Sequence, residues 1–146
     1  MPTETDMSAV TIFLVEDDDV DVMAFQRALR ELKIANPLVR ARDGLEALEM
    51  LRGENGRTPL SHPYLILLDL NMPRMNGFEF LEELRKNPAL HSSLVFVLTT
   101  SSAEEDRVRA YGHNVAGYVL KHAPGRSFLD AVSTLNHYWK ILEFPE

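Results

Sequence analysis

Four apolar runs of this chain each end on a residue able to do chemistry. Residues 10–15 (V-T-I-F-L-V) lead into Glu16-Asp17-Asp18-Asp19, residues 64–68 (Y-L-I-L-L) into Asp69, residues 94–98 (L-V-F-V-L) into Thr99, and residues 115–120 (V-A-G-Y-V-L) into Lys121. In open α/β sheets, ligands sit beyond the carboxyl ends of the strands, so these residues would converge on one edge. Carboxylates brought together repel, by about 4 kcal/mol for a pair ~4 Å apart at an effective dielectric near 20. Either some stay protonated or a cation joins them. Mg²⁺ suits Glu16, Asp17 and Asp69, because it takes one or two carboxylates, a carbonyl and waters and leaves room for phosphate oxygens. The backbone carbonyl of Asn71, two residues past Asp69, is within reach. With its charge screened, Asp69 becomes a nucleophile able to accept a phosphoryl group as an acyl phosphate. Thr99 can then donate its hydroxyl to a phosphoryl oxygen and Lys121 can add a point charge. Thr100 is the alternative to Thr99, which better continues the strand register.

Five strands and five helices must position these groups. Five apolar residues between Pro63 and Pro73 are too few for a helix and read as a strand buried on both faces. After the acidic turn, Val22, Phe25, Leu29 and Leu32 repeat at helical spacing. Asn36-Pro37 breaks the chain, residues 38–41 form a short strand, and Asp43 caps a helix carrying Leu45, Leu48 and Leu51. Asn76 caps the next helix, with Phe78, Leu81 and Leu84 inward, and Asn87-Pro88 ends it. Ser102 and Glu105 form a capping-box pattern for a polar helix to about Gly112. The last helix, from about Arg126, carries Phe128, Val132, Leu135, Trp139 and Leu142. Strands alternating with helices imply a parallel sheet covered on both faces by right-handed crossovers.

A chain of 146 residues, 45% apolar and 25% charged, makes one ordinary domain. The expected division is a leader at 1–8, the domain at 9–137 and a C-terminal helix extension and tail at 138–146. A net charge of −7 argues against nucleic acid or an anionic membrane as partner. The absence of cysteine excludes disulfides and thiolate metal sites, and no apolar run approaches a membrane span. A cytoplasmic setting is expected.

V-E-D-D after the first strand, L-L-D-L-N-M-P-R-M-N-G after the third, L-T-T-S after the fourth and G-Y-V-L-K after the fifth resemble the receiver domain of bacterial two-component response regulators. The likeness spans about Val10 to Leu135. It implies a flavodoxin-like (βα)5 doubly wound sheet of strand order 2-1-3-4-5. By the same resemblance Asp69 receives phosphate from a sensor histidine kinase, Glu16 and Asp17 hold Mg²⁺, Thr99 and Lys121 read the phosphoryl group, and Tyr118 is the switch aromatic. The tail Y-W-x-x-x-x-F-P is similar to that of stand-alone regulators paired with bacteriophytochromes, with output passing to a further protein. Two positions depart from the family pattern. Glu16 stands where aspartate is usual, which lengthens the arm to the metal. His122 follows Lys121 where receivers have a cis proline. A cis bond before a non-proline costs about 2.5–4 kcal/mol, which leaves a trans peptide and a reshaped loop open.

Two other readings stand beside the switch. A Mg²⁺-dependent phosphatase resembling the haloacid dehalogenase class also uses a strand-end aspartate, but wants a second aspartate where Asn71 stands. A receiver-like interaction module that never carries phosphate is the third. A last helix from Arg126 to Leu142 would run about 25 Å at ~1.5 Å per residue, past the edge of such a sheet. Tyr138, Trp139, Leu142 and Phe144 would then form an apolar patch, and a homodimer is expected there.

Overall fold

The computed structural model describes residues 10–141. The expected elements all form: β1 (Thr11–Val15), α1 (Asp19–Glu31), β2 (Leu38–Ala41), α2 (Gly44–Arg52), β3 (Tyr64–Leu68), α3 (Gly77–Lys86), β4 (Val95–Thr99), α4 (Glu104–Gly112), β5 (Gly117–Leu120) and α5 (Phe128–Ile141). All strand pairs are parallel, in the order β2-β1-β3-β4-β5. This is the flavodoxin-like doubly wound arrangement, with β1 and β3 adjacent at the point where the strand order reverses.

Alternation along the strands divides the interior into two cores. Phe13, Val15, Ile66, Leu68, Val95 and Val97 face α2, α3 and Ala110 of α4. Ile12, Leu14, Leu65, Leu67, Phe96 and Leu98 face α1 and α5. Every residue of β3 and β4 is buried. That two-sided burial is why those runs read as continuous apolar stretches and not as alternating ones.

The caps at Asp43 and Asn76 form as expected. Glu46 N–H donates to Asp43 at 2.9 Å, and Asn76 and Glu79 make a reciprocal capping box at 2.9 and 3.0 Å. The box expected at Ser102 does not. α4 starts one residue later, its cap position is Ala103, and no side chain caps it. The neighbouring hydroxyl does that work differently: Ser101 Oγ accepts from Ala103 N–H at 3.4 Å and donates to Asp106 at 2.6 Å. On α2, Leu45 lies outside the core and Ala47 takes the buried position.

α5 begins at Phe128, two residues later than the periodicity suggests, because Ser127 and Asp130 form the reciprocal cap. Trp139 corrects the expected surface patch: it is fully buried within the α1–α5 core. The indole is covered because Leu32 and Ile34, at the end of α1 and just beyond it, pack against the same core. Tyr138 remains half exposed, with its ring 5.8 Å from that of Phe96. The 1–8 leader and the other expected patch residues, Leu142 and Phe144, lie outside the described residues. Among the described residues no helix is long and apolar enough to cross a membrane.

Candidate functional site

The hydrogen-bond ladder continues one step beyond the strands and sets the backbone of three chemistry-bearing residues. Glu16 N–H donates to Ala41 O at 3.0 Å, Asp69 N–H to Val15 O at 3.0 Å and Lys121 N–H to Thr99 O at 2.8 Å. One carboxylate oxygen each from Glu16, Asp17 and Asp69 then falls within 4.8 Å of the others. Glu16 and Asp69 are buried and Asp17 is exposed. Above them opens a cleft of about 460 Å³ lined by Asp17, Leu70, Asn71, Met72, Pro73 and Asp106, among others. Gly77 lets α3 start against this edge. A Cβ there would sit 2.7 Å from Asp69 O and 2.8 Å from Leu70 Cα, so no side chain fits.

Burial drives the electrostatics. Desolvation raises Glu16 from the ordinary carboxylate range to about 7, against the hydrogen bond from Lys121 and with added repulsion from Asp69. Desolvation likewise raises Asp69, opposed by the Lys121 charge and by a hydrogen bond from Thr99. Lys121 is buried and held above its ordinary value. Desolvation, the largest influence, lowers it, but hydrogen bonds to Asp21 and Glu16 and the charge of Asp69 together prevail. Its ammonium lies 2.6 Å from Glu16, 2.6 Å from Asp21 and 4.0 Å from Asp69. Two carboxyls that resist charging beside an exposed third are what a divalent cation relieves, so the donor set fits a hard divalent ion.

Of the two threonines, Thr99 is buried and bonds to Asp69, whereas Thr100 is exposed. The hydroxyl of Thr99 also accepts from Ser101 N–H at 3.3 Å. Tyr118 donates its hydroxyl to Ser101 O at 2.8 Å. A continuous set of contacts thus runs from Asp69 through Thr99 and Ser101 to Asp106 on α4 and Tyr118 on β5. Among the described residues the cis peptide is His62-Pro63, so the Lys121-His122 bond is trans, and Lys121 still reaches the site.

Three parts of the site were not read from the sequence. Asp21 lies in an acidic helix start whose composition singles out no one residue. Ser101 and Asp106 carried no spacing signal beyond a misplaced cap. The third is a clamp on the loop that carries Asn71. Arg74 Nε and Nη2 each lie 2.7 Å from Asp43 Oδ2, and Gly44 N–H donates to Met75 O at 3.1 Å. Burial alone would raise Asp43, but the Glu46 N–H and the Arg74 guanidinium outweigh it and hold the carboxyl below its ordinary range. Arg74 has φ +64°, a left-handed conformation that side chains resist, so the ion pair holds the loop in a shape its backbone does not favour. Asp43→Ala should cost at least the ~1 kcal/mol of a lost helix N-cap, read by urea denaturation. Arg74→Ala should be more damaging than Arg74→Gly, since glycine loses the same pair but accepts the backbone angle. The Asp43 contribution is present above the unfolded value near 3.8 and disappears as pH falls through the lower folded value.

Residues 12–133 match the response regulator receiver domain family. Response regulator Rcp1 of Synechocystis sp. is 36% identical over 128 residues, covering 88% of this chain and 87% of Rcp1. The crystal structure of the phosphorylated cyanobacterial phytochrome response regulator RcpA superposes with a TM-score of 0.84 at 36% identity, over 94% of this chain and 99% of that one. The Mn²⁺-bound form of Rcp1 superposes with a TM-score of 0.81 at 33% identity, over 94% and 99% of the two chains.

Proposed function

The chain belongs to the response regulator receiver domain family, and from that premise we propose that it is a phosphorylation-dependent switch whose acceptor is Asp69. The observation that carries this reading is the meeting of three carboxylates, a buried ammonium and a buried hydroxyl at the carboxyl edge of β1, β3, β4 and β5. Glu16, Asp17, Asp69 and the carbonyl of Asn71 would hold Mg²⁺, and the Mn²⁺-bound form of Rcp1 supports a divalent ion in this family. When bound, the ion offsets the carboxylate charge and screens the incoming phosphoryl oxygens from Asp69.

An Asp69 carboxylate oxygen attacks the phosphorus of a phosphohistidine. The P–O bond forms as the P–N bond breaks, and the electron pair leaves with the imidazole nitrogen. The product is an acyl phosphate on Asp69 and a kinase histidine free of phosphate. Lys121 lies close enough to Asp69 to meet one new oxygen, and Thr99 turns its hydroxyl from the carboxylate to another. That turn withdraws the acceptor of Ser101 N–H. Through the Ser101 contacts it shifts Asp106 and Tyr118, and so the surface of α4 and β5. The donor is a sensor histidine kinase, and the likeness to RcpA supports one of the phytochrome class. The output partner is a protein that reads α4, β5 and α5.

Asn71 supports the switch over a hydrolase, because it stands where a general acid would be needed. Lys121 supports it over a silent module, because the ammonium reaches the site through a trans peptide. Incubation with acetyl phosphate and Mg²⁺ should add about 80 Da that hydroxylamine removes. No adduct from acetyl phosphate, phosphoramidate or a phosphorylated histidine kinase would sink the proposal.

Metal binding should depend on pH in a stated direction. The metal must displace the Glu16 proton below about 7. Apparent Mg²⁺ affinity should therefore rise as pH climbs through that value and level off above it. In the metal-free protein the sign is opposite for stability. A carboxyl raised from 4.5 to about 7 makes the folded state less stable as pH rises across that interval. Calorimetric titration at pH 6, 7 and 8, with melting curves with and without Mg²⁺, checks both.

A further inference from the structure

Lys121 is held by a carboxylate that belongs to neither the acceptor nor the metal set. Its ammonium is shared between Glu16 Oε1 and Asp21 Oδ2, each at 2.6 Å, and stays 4.0 Å from Asp69 Oδ2. The Asp21 side chain makes none of the capping hydrogen bonds of its own helix. α1 is capped by Asp18, whose carboxylate takes the N–H of Val20 at 2.8 Å and of Asp21 at 3.4 Å. The reciprocal half of a capping box would need Asp21 to accept from Asp18 N–H, but Glu16 Oε2 already does so at 3.2 Å. The Asp21 side chain is directed instead to β5, 100 residues away in sequence.

We propose that Asp21 is a positioning residue for Lys121, keeping the ammonium off the acceptor oxygen while a divalent cation occupies the carboxylate cluster. This rests on the reading of Asp69, Glu16 and Asp17 given above and extends it. Glu16 would have to share its carboxylate between Lys121 and a cation on that cluster, whose charge would also repel the ammonium. Were Asp21 absent, the nearest remaining anion would be Asp69. An ammonium seated there competes with the metal and occupies a lone pair of the nucleophile. Asp21 gives Lys121 a partner outside the ligand set. The ammonium then waits within reach of a phosphoryl oxygen without touching the carboxylate that must attack.

Two measurements test this without requiring phosphorylation. The first is ¹⁵N NMR of lysine ammonium groups in the metal-free wild-type protein. It should show Lys121 as a slowly exchanging signal that persists on adding Mg²⁺. Loss of that signal with Mg²⁺, or its absence throughout, would overturn the proposal with no variant involved. The second is calorimetric Mg²⁺ titration. Asp21→Asn should weaken Mg²⁺ about tenfold, and Asp21→Glu should restore most of the affinity. In a Lys121→Gln background, Asp21→Asn should have no further effect. An unchanged affinity in Asp21→Asn would refute the role. So would an equal loss with and without Lys121, since a general effect of negative charge needs no lysine. If the wild-type protein proves unable to accept phosphate, the acceptor reading fails while both of these results stand by themselves.

Discussion

Asp69→Asn is expected to abolish the phosphoryl adduct completely and, in metal-free buffer at neutral pH, to melt higher than the wild type. The two effects share one cause. The carboxylate proposed as nucleophile is buried at the end of β3 and, despite the Lys121 charge and the Thr99 hydrogen bond, is raised by desolvation above the ordinary range. A raised carboxyl makes its charged form a liability in the folded state. Removing the charge relieves it at pH 7.5, and the gain should shrink as pH falls through the raised folded value and vanish below the unfolded value near 3.8, where the wild-type carboxyl is neutral in both states. Lys121 remains paired with Glu16 and Asp21, so the substitution leaves no buried cation alone. Addition of Mg²⁺ should reverse the order, raising the wild-type midpoint more than that of the variant. Intact-mass measurement gives the first effect and scanning calorimetry the second. An adduct that survives in Asp69→Asn would move the acceptor to another residue. A variant that melts lower at every pH would show that the carboxylate contributes packing or bonds which outweigh its charge.

The legible part of the fold was the part whose energy is local or one-dimensional. β3 and β4 are uninterrupted apolar runs because both faces are covered, and Asp43 and Asn76 cap helices with their own side chains a few residues along the chain. Where several short polar residues compete for one job, spacing alone misleads. Ser102 has the capping-box partner at the right distance, yet Ser101 takes the hydrogen bonds, because its place after Thr99 lets it serve the loop and α4 together. Trp139 failed for a different reason. Its helical stripe was read correctly, but whether a stripe faces the interior or solvent depends on what lies beside it. Leu32 and Ile34, which pack against the core that holds the indole, are more than a hundred positions earlier in the chain.

The site divides the same way. Strand ends announce Glu16, Asp17, Asp69, Thr99 and Lys121, since a parallel sheet turns sequence position directly into spatial position. The choice between Thr99 and Thr100 also follows from strand parity, and burial agrees with it. Pairings that cross from one loop to another leave no such trace. Nothing in the spacing links Asp21 to Lys121 or Arg74 to Asp43, and an Asp among four neighbouring acidic residues at a helix start is read by default as a response to the helix dipole. The acidic run therefore conceals two functions under one composition. Asp18 caps the helix and Asp19 pairs with Arg40, while Glu16 and Asp17 meet Asp69 in the carboxylate cluster and Asp21 reaches Lys121.

Trp139→Ala should cost about 3–5 kcal/mol of stability, the largest loss expected from any single truncation on α5. The indole is among the largest fully buried side chains, and it packs in the core that α5 shares with Phe25, Leu29 and Phe96. A domain of ordinary stability, about 5–15 kcal/mol, would keep little margin after such a loss. Trp139→Phe should cost far less. The ring volume is largely kept, and the indole Nε1 forms no hydrogen bond whose loss would add to the cost. The same pair of variants separates burial from a role in association. A tryptophan at a subunit interface would, when truncated, lower assembly at dilute concentration and leave the isolated fold intact. A tryptophan in the core lowers the urea midpoint by the same amount at every protein concentration. Measured at micromolar and submicromolar chain, a concentration-independent loss supports the core. A small, concentration-dependent effect of Trp139→Ala would return the indole to the surface and reopen the packing of α5 on α1.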